Sequence, residues 1–235
     1  MNQDARTYHD PLHKSIKLNR RDPDEALIIE LIDSPSFQRL RRVRQLGPAF
    51  LTFHGAESSR FTHSLGVFQI ARKALIKLEE IDKSLRNKRA IVFAASLLHD
   101  LGHGPMSHTG EEIFGIKHEE WSAKVIRQDT SIRNTLETFK PGMANEVADL
   151  LTVKNNSFGL IKSLISSQLD CDRLDYLLRD SYSTGTNYGQ LDLERILSAL
   201  TIAPDGDMAI HPKGLMAVEH YLVVRNLMYR SVYNH

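Results

Sequence analysis

The chain has 235 residues, enough for one large domain with a real core, and it carries 30 Lys+Arg against 29 Asp+Glu. That near-neutral balance excludes a uniformly basic nucleic-acid binder but leaves room for a local basic patch. The single cysteine, Cys171, excludes an internal disulfide and a thiolate zinc site, so any metal must be held by the eleven histidines and the carboxylates. With no signal-like segment and no apolar run of ~18 residues, a cytoplasmic protein without a membrane partner is expected.

Residues 1–23 are polar, with an alternating run from Leu12 to Leu18 that reads as a strand. The dipeptide His9-Asp10 in that segment has no periodic helix before it and is read as chance. An apolar helix follows over Glu25–Ile32. A second helix is punctuated by Ser34 as N-cap, Pro35 at its first position and Gly47 past its end. Its apolar residues Phe37, Leu40, Val43 and Leu46 recur every three. Arg39, Arg41, Arg42 and Arg44 occupy the other side, where they serve an anion, a nucleic acid or simply solvent. Residues 48–59 read as a loop, with a short strand at Phe50–Phe53.

A long helix runs from Ser58-Ser59 to about Glu80, with His63 in its first turn, where a lone histidine is ordinarily a packing residue. The next helix, residues 86–101, is apolar until it reaches His99 and Asp100 side by side. An unpaired carboxylate costs several kcal/mol in a core, and a divalent cation would resolve that cost. Adjacent helical residues point about 100° apart, so the pair can share an ion only if the helix end is distorted or the ion sits over it, and Gly102 and Gly104-Pro105 supply such an end. His99, His103, His108 and His118 crowd a glycine-rich stretch that reads as a catalytic loop, because imidazole exchanges protons near neutral pH.

Helices are expected over 119–128, 144–153 and 157–168, separated by polar linkers. In the following helix, Leu169 to Asp180, residues Asp172, Asp175 and Arg179 share a flank and read as surface ion pairs. Residues 192–200 are helical, and the turn Ala203–Asp207 joins a small hairpin of Leu200–Ile202 and Met208–His211. A last helix starts near Lys213 and is still running at His235. The fold class is all-α with a small β-hairpin, in a single domain spanning 1–235.

Four words carry a resemblance: Phe37-Gln-Arg-Leu-Arg-Arg-Val-Arg-Gln-Leu-Gly47, Arg60-Phe-Thr-His-Ser-Leu-Gly-Val67, Leu98-His-Asp-Leu-Gly-His-Gly-Pro-Met-Ser-His108 and Asp170-Cys-Asp-Arg-Leu-Asp-Tyr-Leu-Leu-Arg-Asp180. With the order His63, His99-Asp100, Asp172, the sequence resembles the dGTPase-like deoxynucleoside triphosphate triphosphohydrolases of the HD-domain superfamily. The resemblance implies a helical HD domain in which His63, His99, Asp100 and Asp172 bind divalent metal. Mg, Mn, Fe, Co and Zn all suit that donor set. It implies hydrolysis of a dNTP to the deoxynucleoside and triphosphate by metal-activated hydroxide attack on the α-phosphorus.

By the same resemblance His108 is the first choice of general acid and His118, backed by Glu119 or Glu111, the second. His103 contacts phosphate or orients the loop. Arg60, Arg173 and Arg225 contact phosphates, although relatives often carry Lys where Arg173 stands. Tyr176 and Asp180 pack the deoxyribose and bond its 3′-hydroxyl, Gln45 and Leu46 flank sugar and base, and Tyr233 joins the substrate-binding set. Relatives continue beyond this chain's last residue, so a C-terminal extension is expected to be lacking, and a homo-oligomer and a nucleotide activator are implied as partners. Two other classes stay open: an HD phosphohydrolase acting on another nucleotide or single-stranded nucleic acid, and a non-catalytic nucleotide-binding regulator.

Overall fold

The computed structural model describes residues 4–153 and 158–234. Helix dominates, as expected, with two two-stranded antiparallel sheets among the described residues. The first sheet pairs β1 (Ala5–Asp10) with β2 (Lys14–Asn19), and the second pairs β3 (Leu200–Ile202) with β4 (Met208–Ile210). The helices are α1 (Pro23–Asp33), α2 (Pro35–Gln38), α3 (Arg60–Glu79), α4 (Arg89–Leu98), α5 (His108–Phe114) and α6 (His118–Gln128), then α7 (Thr130–Phe139), α8 (Met143–Thr152), α9 (Leu160–Ile165), α10 (Cys171–Thr184), α11 (Leu193–Ser198) and α12 (Leu215–Met228). No described helix is long and apolar enough to cross a membrane.

α4 is the centre. Every residue from Ile91 to Leu98 is buried, so the helix has no solvent face and must be enclosed on all sides. α1, α3, α8 and α9 enclose it, with Phe93 edge-on to Phe68 of α3 at 5.4 Å between ring centroids. α10 crosses α3 at Gly66, where any Cβ would collide with the Asp175 carboxylate and the Arg179 guanidinium. These two crossings aim the first turn of α3, the end of α4 and the first turn of α10 at one point.

Several expectations need correction. The helix read over 34–47 stops after α2 and a 3₁₀ turn, Arg39–Arg42. Val43 then turns extended, its carbonyl accepting from Arg60 N at 2.8 Å, and Arg44 bridges to Ser59. Tertiary pairing with the start of α3 overrides helix propensity there. The strand expected at Phe50–Phe53 is absent; Gly47–Leu51 forms another 3₁₀ turn. The arginines do not line one helix face: Arg39 donates to the carbonyls of Leu101 and His103, Arg41 lies 3.6 Å over the Phe61 ring, Arg44 pairs with Glu57 and Arg42 is exposed, and the last three border a second cavity.

α7 occupies a stretch read as linker. Asp129 caps it by accepting from Ile132 N at 2.9 Å, and only Ile132 and Leu136 face inward. The N-terminal run has a partner strand, β1, that its polar sequence hid. Of the helix expected over 157–168, residue 157 lies outside the described residues and α9 accounts only for Leu160–Ile165. The last helix starts at Leu215 and passes into a π-turn at Tyr229–Tyr233; His235 lies outside the described residues.

Candidate metal centre

His63 sits in the first turn of α3, His99 and Asp100 leave the end of α4, and Asp172 sits in the first turn of α10. One nitrogen each from His63 and His99 and one oxygen from Asp172 lie within 4.8 Å of one another. His63 Nε2 is 2.9 Å from Asp172 Oδ1 and 3.6 Å from Asp100 Oδ2, while His99 Nε2 is 3.3 Å from Asp100 Oδ1 and 3.7 Å from Asp172 Oδ1. Asp100 therefore touches both imidazoles from the side. Its Oδ2 also accepts from Arg60 at 2.5 Å. α4 ends at Leu98, so His99 and Asp100 lie in the turn beyond it and both face the same point.

The donor set fits a divalent cation. His99 Nδ1 donates to the Ser96 carbonyl at 2.8 Å, which leaves Nε2 the basic nitrogen of the neutral ring. Buried, and without a hydrogen-bond partner among the described residues, that Nε2 faces two carboxylates. His63 Nδ1 donates to Asp175 Oδ2 at 2.8 Å, so its Nε2 also points into the cluster with its ring held from behind. Burial opposes charge on His63, yet hydrogen bonds to Asp172 and Asp175 outweigh it and raise its pKa to about 10. Burial likewise opposes ionisation of Asp172, but His63 and His99 hold its carboxyl well below the usual range. Without a metal the centre draws a proton onto His63; a divalent ion satisfies the same field.

Beside this cluster stands a second one. Glu111 Oε1 accepts from His108 Nδ1 and from His118 Nδ1, each at 2.8 Å. Glu119 is farther from His118, at 3.5 Å. The His103 and His118 rings stack with centroids 4.0 Å apart, and His103 Nε2 lies 3.3 Å from Asp100 Oδ1. Burial lowers the His103 pKa to about 3, which keeps that ring neutral. Ser122 of α6 ties the clusters together: its hydroxyl donates to the His99 carbonyl at 2.6 Å and accepts from Gly102 N at 2.8 Å.

Both clusters border a cavity of about 670 Å³. Of the residues singled out in the sequence, Gln45, Leu46, Arg60, His99, His108, His118, Glu119, Asp172, Arg173, Tyr176, Asp180 and Tyr233 line it. His63, Asp100, His103 and Glu111 stand behind that wall. Arg60 is only 3% exposed and binds Asp100, the Ser107 hydroxyl and the Gln45 carbonyl. Arg173 Nε donates to the Ser167 carbonyl at 2.9 Å. Tyr233 donates to Asp180 Oδ2 at 2.9 Å, while Asp180 Oδ1 is buried with no partner among the described residues. Burial pushes the Asp180 carboxyl up to about 7. Arg225 does not line the cavity; its guanidinium lies 5.0 Å over the Tyr229 ring.

The sequence reading missed Asp175. Asp175 and Arg179 were read as surface ion pairs, but they are 0% and 1% exposed, packed behind His63. The three-residue step from Asp172 to Asp175 and the four-residue step on to Arg179 are visible in the sequence, whereas the side they face is not. His9-Asp10, read as chance, supplies no ligand atom, yet Asp10 is buried and accepts from Arg179 at 2.9 Å.

Residues 60–180 match the family model described as HD domain, and residues 191–235 match the HD associated region. The chain is 43% identical over 99% of its length to the uncharacterized protein YwfO of Bacillus subtilis, of which it covers 52%. It is 26% identical over 98% of its length to the deoxynucleoside triphosphate triphosphohydrolase SAMHD1 of Danio rerio, covering 42% of that protein. A crystal structure of a phosphohydrolase from Bacteroides thetaiotaomicron superposes with a TM-score of 0.83 at 33% identity, over 98% of this chain and 55% of that one. The chain spans about half the length of the curated relatives it matches.

Proposed function

The chain belongs to the HD-domain family, and from that premise we propose that it is a metal-dependent phosphohydrolase that cleaves a dNTP to the deoxynucleoside and inorganic triphosphate. One observation carries the reading: His99 and Asp172 of the ligand cluster, His108 and His118 of the histidine cluster, and the group Tyr176, Asp180 and Tyr233 all border one cavity. In this reading His63, His99, Asp100 and Asp172 hold the divalent ion. Bound there, the ion would supply Lewis acidity toward phosphate oxygen and make water acidic near neutral pH.

The remaining work falls to side chains. Arg60 and Arg173 are the cations nearest the cavity for a polyphosphate. The departing 5′-oxygen needs a proton. His108 is the proposed donor, because Glu111 holds its Nδ1 and leaves Nε2 for transfer. His118, held by the same Glu111 oxygen, is the second candidate. His103 is neutral and contributes a hydrogen bond rather than charge. The unpartnered Asp180 oxygen suits a sugar hydroxyl, and the Tyr176 ring edge-on to Tyr233 at 5.8 Å forms an apolar wall for a deoxyribose. Gln45 and Leu46 stand as the proposed contacts to sugar and base.

The test is product chemistry. Protein with Mn²⁺ or Mg²⁺ and each of the four dNTPs is expected to release tripolyphosphate and deoxynucleoside; release of pyrophosphate or single phosphate would reject this reaction and leave another phosphohydrolase.

A further inference from the structure

The turn of the first hairpin is wired into the back of the metal centre. Asp175 accepts four hydrogen bonds, which fills its carboxylate: from His63 Nδ1 at 2.8 Å, His13 Nε2 at 2.6 Å, and Arg179 Nε and Nη2 at 2.7 and 3.0 Å. His13 lies in the loop between β1 and β2, far from Asp175 in sequence, and its side chain is 4% exposed. Asp10, at the end of β1, accepts from Leu12 N and His13 N with one oxygen, at 2.9 Å each. Its other oxygen accepts from Arg179 Nη1, at 2.9 Å. Asp10 thus shapes the loop that presents His13 and holds the arginine that His13's partner also binds. The side chains of Asp10, Asp175, Arg179 and His63 are all 3% exposed or less.

We propose that Asp10 and His13 are positioning residues of the metal centre: through Arg179 and the Asp175 carboxylate they fix the ring plane and tautomer of His63. The proposal rests on the reading of His63 as a ligand. His13 and Arg179 pin Asp175 Oδ1 from two sides, so Oδ2 stays in line with His63 Nδ1. That hydrogen bond fixes Nδ1 and turns Nε2 toward Asp172 and Asp100. Loss of His13 leaves Oδ1 to the longer of the two Arg179 bonds, at 3.0 Å, and loosens the carboxylate that faces His63. The N-terminal hairpin, which lies outside the matched HD domain, is in this account a working part of ion capture.

The test is Mn²⁺ titration of the whole chain, with free ion read by electron paramagnetic resonance, beside the melting temperature of the metal-free protein. His13→Ala is expected to weaken Mn²⁺ binding about tenfold, the low end for loss of an outer partner of a ligand. His13→Gln, whose amide can still donate to Asp175, recovers most of that loss. A His13→Ala protein that melts lower without metal but binds Mn²⁺ as wild type does would reduce the hairpin to a structural prop and overturn the proposal. If His13→Ala does not fold, Asp10→Asn takes its place: severalfold weaker binding supports the proposal and unchanged binding overturns it. His63→Ala separates the two readings. Wild-type Mn²⁺ affinity in that variant removes His63 from the ligand set and this inference with it, whereas lost affinity there beside wild-type affinity in His13→Ala overturns the inference alone.

Discussion

The two histidine clusters are neighbours built on opposite terms. His63, His99 and Asp100 are 8% exposed or less and sit at the ends of helices locked into the core. Each imidazole has its far nitrogen committed to a second group, Asp175 or the Ser96 carbonyl. Half of the other cluster, His108 and Glu111, hangs on α5, which has no buried residue and exposes Ile113 and Phe114 at 67% and 76%, while His118 opens α6 and His103, 1% exposed, backs them. Its members are held mainly by one another and by Glu111. Groups that hold an ion gain from being fixed before it arrives. Groups that pass protons to a bound molecule must meet it at the surface of the cavity.

The predictions follow that contrast. The largest effect is expected for Asp172→Ala: metal content falls toward zero by elemental analysis and turnover drops about 10³-fold, the several kcal/mol that a lost metal represents. His108→Ala is expected to lower kcat about 10²-fold with metal content unchanged, since it removes the proposed proton donor alone. If His108→Ala also empties the site, the two clusters are not separable and the contrast fails. Gly66→Ala, which forces a methyl group against Asp175 and Arg179, is expected to destabilise the fold by about 3 kcal/mol in urea unfolding.

The smallest effect is a pH slope. Burial raises the Asp180 carboxyl to about 7, above its unfolded value, so the folded protein binds the extra proton. That contribution to stability is complete below the unfolded pKa and is lost as pH rises through about 7. Asp180→Asn is expected to remove about 2 kcal/mol of stability difference between pH 5 and pH 7 in unfolding titrations. An unchanged slope would mean that Tyr233 and the cavity keep the carboxylate ionised.

The convergence of His63, His99, Asp100 and Asp172 was legible because they sit in long motif words whose local structure, helix start or helix end, is also written locally. Ser59 caps α3 and Asp170 caps α10, each just ahead of a ligand. The support behind the ligands was not legible. Asp175 and Arg179 carry the spacing of a solvated ion pair, and only the crossing at Gly66 decides that they face inward. The recurrence of Phe37, Leu40 and Val43 every three residues was read as an α-helix; it is also the repeat of the 3₁₀ turn that forms there. α7 shows two inward residues, too few to give its stretch a visible period. For the second cluster, sequence left Glu119 and Glu111 level as partners of His118, and the geometry favours Glu111.

One small hydroxyl has a mechanical consequence. Ser122 is clamped between the carbonyl of His99 and the amide of Gly102, and it lies one turn along α6 from His118, that helix's first residue. Through that hydroxyl the backbone that carries His99 is bonded directly to the helix that begins at His118. One serine side chain is thus all the joinery that separates the two histidine clusters at this point.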